Sequence, residues 1–197
     1  MEFEVRVGIL AIQGDVAAHA EALERLGVTT QPVLREKDLA AIDALVLPGG
    51  ESTTIAKGLD RLGLYSPLFS FCESGRPILG TCAGAILLAR ESENHPVRTL
   101  GLIDLAARRN AYGTQVDSFA AQADAPREGA TAAERGFAGL RCIFIRAPQL
   151  VDLAPDVEVL ARVEGAPVLV RQANVIACTF HPELGSDPRV HALLTAR

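Results

Sequence analysis

The sequence has 197 residues, of which 49% are hydrophobic and 22% are charged. These proportions are typical of a folded globular protein and exclude a disordered chain. The net charge of -5 excludes a strongly basic surface for nucleic acid or a polybasic membrane patch. The sequence has no apolar run of membrane-spanning length, and its first residues, MEFEVR, are too acidic for a signal peptide. We therefore expect a cytoplasmic protein with one domain over residues 1–197.

The first ninety residues alternate between short apolar runs and helical segments. Asp15 is suited to cap the first helix, which Gly27 ends, and Ser52 or Thr53 is suited to cap a later one. Strands that alternate with helices predict an α/β fold, in which helices cover both faces of a mostly parallel sheet. The predicted strands in this part are residues 7–12, 28–34, 44–47 and 77–80, and the predicted helices are residues 16–26 and 55–62, with a third after residue 82.

Residues 80–84 read Gly-Thr-Cys-Ala-Gly and join a predicted strand to a predicted helix. This is the cysteine form of the nucleophile elbow, a sharp turn that holds a reactive side chain in strained backbone geometry. Gly80 and Gly84 fit that turn because a Cβ on either side of the nucleophile would clash. The sequence therefore predicts Cys82 as a nucleophile close to the N-terminus of a helix.

Two further loops follow predicted strands. Gln13-Gly14 follows the first strand, and Gly49-Gly50 follows the third. Because functional loops of parallel sheets lie beyond the carboxyl ends of the strands, we expect both loops to meet Cys82 in one crevice.

The second half of the chain is less regular. Residues 91–140 predict short antiparallel strands and a mobile surface loop, and Glu164-Gly165 marks the turn of a hairpin. A short helix closes the chain. The predicted strands in this half are residues 142–145, 157–163, 167–172 and 175–180.

His181 follows the last apolar strand directly, and Glu183 lies two residues further on. A cysteine nucleophile needs a base, and the base needs an orienting group. In extended backbone, residues two apart point the same way, so Glu183 is placed to hold the His181 tautomer. His19, His95 and His191 lack this context and are interpreted as surface residues or as core residues with satisfied hydrogen bonds.

Acyl transfer also needs N–H donors for an oxyanion. The N–H of Ala83, directly after the nucleophile, is the first candidate. The second is Gly50, because glycine lets the backbone approach a substrate closely. The remaining cysteines, Cys72, Cys142 and Cys178, lie in apolar contexts without metal-type spacing, and we expect reduced core residues.

Three segments together resemble the class I glutamine amidotransferases, the triad type: residues 47–54 (LPGGESTT), 80–84 (GTCAG) and 180–183 (FHPE). Four more resemble one branch of that family, the glutaminase subunits of pyridoxal 5'-phosphate synthase. They are residues 10–14 (LAIQG), 109–113 (RNAYG), 116–119 (VDSF) and 144–148 (FIRAP). The resemblance covers nearly the whole chain.

The resemblance implies a triad of Cys82, His181 and Glu183 that hydrolyses L-glutamine to glutamate and ammonia. It implies that ammonia passes, within a hetero-oligomer, to a synthase subunit that makes pyridoxal 5'-phosphate. It implies no metal or cofactor in this chain. We expect the Gly49-Gly50 peptide to turn its N–H into the site when the partner binds, and Gln13 and Gly14 to sense that partner. The implied glutamine contacts are Gly50, Glu51, Ser52, Arg109, Ile145 and Arg146.

Two positions depart from the family pattern. Thr114 stands where arginine is usual, and Ala120 stands where glutamate is usual. Both lie outside the implied triad, so they concern partner contacts or local ion pairs. Three alternatives remain: an amidotransferase subunit of another pathway, an inactive regulatory partner, and a related cysteine peptidase. Residues 109–119 argue against the first, the intact Cys/His/Glu set against the second, and the Gly-Gly-Glu-Ser loop against the third.

Overall fold

The computed structural model describes residues 5–109 and 118–195. Its strands, in chain order, are β1 (Arg6–Leu10), β2 (Thr29–Val33), β3 (Ala44–Leu47), β4 (Ile78–Thr81), β5 (Ala89–Glu93), β6 (Ile103–Arg108), β7 (Ser118–Gln122), β8 (Arg141–Ile145), β9 (Gln149–Val151), β10 (Glu158–Val163), β11 (Ala166–Gln172) and β12 (Val175–Cys178).

The helices within the described ranges are α1 (Val16–Glu24), α2 (Glu36–Leu39), α3 (Ser52–Leu62), α4 (Tyr65–Glu73), α5 (Ala83–Leu88), α6 (Ala132–Gly136) and α7 (Arg189–Ala192), with a 3-10 turn at Pro182–Leu184. The sequence did not predict α2, α4 and α6. In this part of the chain, every helix is too short or too polar to cross a membrane.

The central sheet of the described chain has the strand order β10-β11-β12-β4-β3-β1-β2. The five strands from β12 to β2 pair in parallel. At the other edge, β11 pairs antiparallel to β12, and β10 pairs antiparallel to β11. The predicted mostly parallel sheet and the predicted hairpin around Glu164-Gly165 are therefore confirmed.

Alternate side chains of the central strands point into two separate hydrophobic clusters, one on each face of the sheet. Leu45 and Leu47 of β3 point into a cluster with the residues of α3, α4 and α5. Ala44 and Val46 point into the other cluster, which contains residues of α1 and α7. Every residue of β3 is buried, as expected for a strand with helices on both faces. The predicted cover of both faces is confirmed.

Side chains cap the helices at the site edge of the sheet. Asp15 caps α1 as predicted, because its Oδ1 accepts from the N–H of Ala18 at 3.0 Å. The predicted cap of α3 was wrong: the N-cap residue is Glu51, whose carboxylate accepts from the N–H groups of Thr53 and Thr54. A longer side chain reaches the same donors from one residue earlier, so Ser52 lies inside the helix.

The prediction of antiparallel strands in residues 91–140 was partly wrong. β7 and β8 are antiparallel, but β5 and β6 are parallel. The loop between β5 and β6 runs back along α5. There the N–H groups of Leu100 and Leu102 bind the carbonyl groups of Leu87 and Leu88 at 2.6 and 2.8 Å. The chain therefore enters β6 from the same end as β5. The predicted mobile loop is only partly described, since residues 110–117 lie outside the described ranges.

The turn between β4 and α5 is the predicted elbow. Cys82 has φ 48° and ψ -103°, a left-handed conformation that costs free energy in a non-glycine residue. A Cβ on Gly84 would lie 2.0 Å from the carbonyl oxygen of Leu47, and one on Gly80 would lie 2.7 Å from the backbone of Gly84. Backbone thus packs on backbone on both sides of the cysteine, and both glycines are required.

We predict that Gly84→Ala lowers the free energy of unfolding by about 3 kcal/mol, the upper end of the usual cost of overpacking, because the added methyl overlaps backbone that cannot rotate aside. Urea denaturation measures this. Gly136→Ala in α6 is the matched control, since its added methyl meets nothing within 4 Å. That variant should be unchanged or more stable by up to about 1 kcal/mol. Equal unfolding free energies for the two variants would contradict the packing described here.

Candidate active site

The predicted functional loops meet at the carboxyl ends of the parallel strands, around a cavity of about 260 Å³. The loops that follow β1, β3, β4 and β12 surround the cavity. Binding sites of parallel sheets lie at this edge, outside the carboxyl ends of the strands. Glu183 and Gly14 are the two predicted site residues that do not line it. Its lining consists of Gln13, Gly50, Glu51, Ser52, Cys82, Ala83, Ile86, Arg109, Ile145, Arg146, Pro148 and His181.

Cys82, His181 and Glu183 lie in a row. Cys82 is 7% exposed at the cavity wall, and its thiol lies close enough to the His181 side chain to raise the pKa of that ring. His181 Nδ1 lies 2.7 Å from Glu183 Oε1. The predicted contact is present, but its predicted extended geometry was wrong. Residues Pro182–Leu184 form a 3-10 turn, which brings the carboxylate back beneath the ring.

The charges of this row stabilise one another. Burial lowers the pKa of His181, but the bonds to Cys82 and Glu183 outweigh it and raise that pKa to about 10. Burial raises the pKa of Glu183, but the bond from His181 and the nearby histidines lower it overall. His181 therefore binds a proton more readily than a free imidazole, beside an ionised carboxylate.

The other cysteines differ from Cys82. Cys142 and Cys178 are fully buried and free, and burial raises the pKa of Cys142 to about 12 and that of Cys178 well above its usual value. Cys72 is half-buried, and desolvation raises its pKa as well. The expectation of reduced core residues holds for Cys142 and Cys178, while Cys72 lies at the edge of the core.

The loop after β3 lies against both His181 and the loop after β1. A Cβ on Gly49 would lie 2.7 Å from His181 Cε1, and a Cβ on Gly14 would lie 2.2 Å from the Gly49 carbonyl oxygen. Gln13 Oε1 accepts from the N–H of Glu51 at 3.1 Å. Gly50 has φ 144°, which favours glycine. The residues predicted to sense a partner therefore contact the peptide predicted to supply an oxyanion donor.

The rim of the cavity carries polar atoms that are still free to bind a ligand. Arg109 Nη2 pairs with Glu51 Oε1 at 3.2 Å. Bonds from Thr53 and Thr54, the side-chain bond from Thr53 foremost, lower the pKa of Glu51 to about 2. Arg109 Nη1 and the Ser52 hydroxyl are buried and have no hydrogen-bond partner among the described residues. Buried donors without partners are costly, so a ligand here has two groups to satisfy.

The end of β8 forms the opposite wall. The carbonyl oxygen of Ile145 lies 3.8 Å from Cys82 Sγ. Arg146 follows with φ 43°, a second strained residue at this cavity. This turn carries the Arg146 side chain to the exposed rim. Residues 110–113 of the segment RNAYG, together with Thr114, lie outside the described ranges, whereas Ala120 is exposed on β7.

Sequence reasoning missed His19 and His191 as part of this region. Both are buried, and His19 lies 3.5 Å from the second oxygen of Glu183. The sequence does contain a signal: His19 lies four residues before Leu23, so it is on the apolar face of the first helix. Exposed His95 fits the surface interpretation.

This sheet, with a cysteine on its elbow and a histidine after the neighbouring strand, is the architecture of the class I glutamine amidotransferases. A crystal structure of a glutamine amidotransferase matches with a TM-score of 0.87 and 42% identity, over 96% of this chain and 99% of that chain. The chain belongs to the SNO glutamine amidotransferase family, whose sequence profile matches residues 9–196. The family predicted from the sequence is confirmed.

Two relatives are each named pyridoxal 5'-phosphate synthase subunit PdxT. The protein from Acidothermus cellulolyticus is 48% identical over 198 residues, which span 97% of this chain and 92% of the relative. The protein from a Thermotoga species is 44% identical over 187 residues, which span 95% of this chain and 96% of the relative.

The buried histidines predict a pH dependence of stability. Burial lowers the pKa of His19, and it lowers the pKa of His191 to about 4. The unfolded chain therefore binds more protons than the folded chain between about pH 6.5 and 4, and stability falls as pH falls through that window. The raised pKa of His181 acts at higher pH, since its contribution is complete below pH 6.5 and is lost towards pH 10.

Urea denaturation between pH 7 and pH 4 tests this. His191→Gln should flatten the curve by up to about 1.4 kcal/mol per pH unit, the effect of one proton. His95→Gln, at an exposed position, is the control and should run parallel to the parent chain. Parallel curves for the parent and His191→Gln would show that His191 is not buried in its neutral form.

Proposed function

We propose that this chain hydrolyses L-glutamine to L-glutamate and ammonia, with Cys82, His181 and Glu183 as the catalytic triad. The observation that carries the proposal is the 2.7 Å contact between His181 and Glu183 beside the strained elbow cysteine. Membership of a glutamine amidotransferase family supports the choice of substrate.

The proposed reaction is acyl transfer in two steps. His181 takes the thiol proton, and Cys82 Sγ attacks the side-chain amide carbon of glutamine. His181 gives a proton to the leaving nitrogen, so ammonia departs and a thioester remains. Water, activated by His181, cleaves the thioester and releases glutamate. The raised pKa of His181 means that its ring keeps the proton taken from the thiol and holds it ready for the leaving nitrogen, and Glu183 keeps that ring aimed at the sulfur.

The N–H groups of Ala83 and Gly50 are proposed to bind the oxyanion that forms at each step. The rest of the cavity is suited to the amino-acid end of the substrate. Arg109 Nη1 and the Ser52 hydroxyl supply unpaired donors, and arginine pairs well with a carboxylate. The Ile145 carbonyl, Glu51 and Arg146 complete the proposed contacts at the rim.

We further propose that the ammonia serves vitamin B6 synthesis. Relatives at 44% and 48% identity are named as subunits of pyridoxal 5'-phosphate synthase, which supports this pathway over that of another amidotransferase. The proposed partner is the synthase subunit, joined in a hetero-oligomer, without nucleic acid or membrane. A cytoplasmic location and a single domain over residues 1–197 remain predictions from the sequence.

Kinetics of the chain with its synthase subunit test the proposed triad. Cys82→Ala should abolish glutamine hydrolysis while leaving the fold intact, because no other nucleophile is proposed. His181→Ala should lower the rate by roughly 10²–10⁴-fold, as expected for loss of general acid-base catalysis, and Glu183→Ala should be no more damaging. Cys72→Ala, remote from the cavity, is the control and should keep the parent rate. An active Cys82→Ala chain, or a larger loss from Glu183→Ala than from His181→Ala, would contradict these roles.

The contact between the Gln13-Gly14 loop and Gly49 predicts partner control. A subunit that binds Gln13 and Gly14 would favour the orientation in which the N–H of Gly50 faces the oxyanion. Losing one such donor costs on the order of 10²–10³ in rate, so the isolated chain should be slower than the complex by about that factor. Gly14→Ala should lose this activation, since its methyl would lie 2.2 Å from the Gly49 carbonyl oxygen. Equal activity of the isolated chain and the complex would refute the mechanism.

A further inference from the structure

Two buried histidines lie directly behind Glu183. His19 is on α1 and His191 is on α7, and they are 0% and 1% exposed. His19 Nδ1 lies 3.0 Å from His191 Nε2, and the rings meet edge to face with centroids 5.3 Å apart. The two helices are thus joined, beneath the sheet edge that carries the active site, by a hydrogen bond between two imidazoles.

The His19 ring also faces the inner end of the triad. Its Nε2 lies 3.5 Å from Glu183 Oε2 and 3.4 Å from the hydroxyl of Thr81, the residue before the elbow cysteine. Glu183 uses Oε1 to hold His181. Oε2 is buried, and no described residue forms a hydrogen bond to it within ordinary limits. A buried carboxylate oxygen needs a donor, and His19 Nε2 needs to approach by a few tenths of an ångström to become one.

The ring protons decide whether His19 is that donor. Burial lowers the pKa of both rings, so each is neutral near pH 7 and carries one proton. The facing nitrogens can share one proton between them. If His191 Nε2–H donates to His19 Nδ1, the His19 proton lies on Nε2 and points at Glu183. The opposite arrangement would set a nitrogen lone pair against a buried carboxylate oxygen, which is unfavourable.

We propose that His19, oriented by His191, is a positioning residue that holds Glu183 in the rotamer that aims His181 at Cys82. The proposed order of donors runs from His191 through His19 to Glu183 Oε2. The other oxygen of that carboxylate faces His181, so a fixed carboxylate means a fixed ring. This inference rests on the proposed glutaminase function, to which it adds a second layer of hydrogen bonds behind the triad.

A metal site is the other function that histidines beside a carboxylate suggest. Within residues 5–109 and 118–195, no group of three or more His, Cys, Asp and Glu is arranged to hold a metal ion. Hydrogen bonding within the cluster therefore accounts for the two buried histidines better than metal binding does. The charged and titratable groups that face the two rings are Asp15, Arg25, His181 and Glu183.

The tautomer of His19 tests the proposal in the unmodified chain, whatever its activity. Nitrogen-15 NMR of labelled histidine shows which ring nitrogen carries the proton. We expect Nε2–H at His19, with Nδ1 accepting a hydrogen bond, at pH 7. A proton on His19 Nδ1 would overturn the proposal. Because this measurement does not need turnover, its failure is distinct from failure of the glutaminase assignment.

Kinetics give the second test, made on the chain with its synthase subunit. His19→Leu removes the donor and should lower kcat about tenfold, with KM within twofold. This is the low end of the loss seen at metal sites when a hydrogen-bond partner behind a metal-binding residue is removed. His19→Gln, which offers an amide N–H, should restore most of that loss. In a Glu183→Gln background, His19→Leu should have no further effect on kcat, because His19 acts through that carboxylate.

Val190→Ala is the matched control, since Val190 is fully buried beside His191 but lies in the hydrophobic cluster. It should lower stability and leave kcat of the folded enzyme within twofold. An equal loss of kcat from His19→Leu in the parent and the Glu183→Gln backgrounds would overturn the proposal and assign His19 a packing role. If His19→Leu does not fold, His191→Leu takes its place in the same cycle, with the same two outcomes.

Discussion

The site depends on one close approach of backbone to backbone, that of Gly84 to the carbonyl group of Leu47. A Cβ at position 84 would lie 2.0 Å from that oxygen, so β3 and α5 can meet only without a side chain there. The contact presses the first turn of α5 against β3, and the chain between β4 and α5 has to turn through Cys82 at φ 48°. The same strand continues into Gly49-Gly50. This one contact therefore fixes the positions of both the Cys82 sulfur and the Gly49-Gly50 loop opposite it.

The second requirement is a buried negative charge with enough partners. Glu183 is 6% exposed, and a carboxylate at that depth is tolerated when donors surround it. His181 supplies one side, and His19 lies at the other. The 3-10 turn after His181 makes this possible, because it folds the carboxylate under the ring instead of extending it away. The polar cluster thus links α1 and α7 to the end of β12, next to a hydrophobic cluster that contains residues of both helices.

Local patterns predicted the parts of this fold that local chemistry determines. Strand β3 and the elbow were predictable because fully buried runs and paired glycines have few alternatives. The cap of α3 was not, since both Ser52 and Glu51 can reach its free N–H groups. The direction of β6 follows from a loop that bonds to α5, a tertiary contact that no periodicity records. His19 and His191 are 172 residues apart, and their pairing depends on how two helices pack. The role of Arg109 came from family resemblance, and its place at the cavity rim agrees with it.

The central claim is that Cys82 is the activated nucleophile of a glutamine site, and covalent labelling tests it most directly. The chain, bound to its synthase subunit, is treated with a limiting amount of a glutamine analogue that carries an electrophile in place of the side-chain amide, and its peptides are analysed by mass spectrometry. We predict one adduct per chain, on Cys82, that excess glutamine prevents and that His181→Ala slows. An adduct on Cys72, or labelling of Cys82 that glutamine does not affect, would contradict the account.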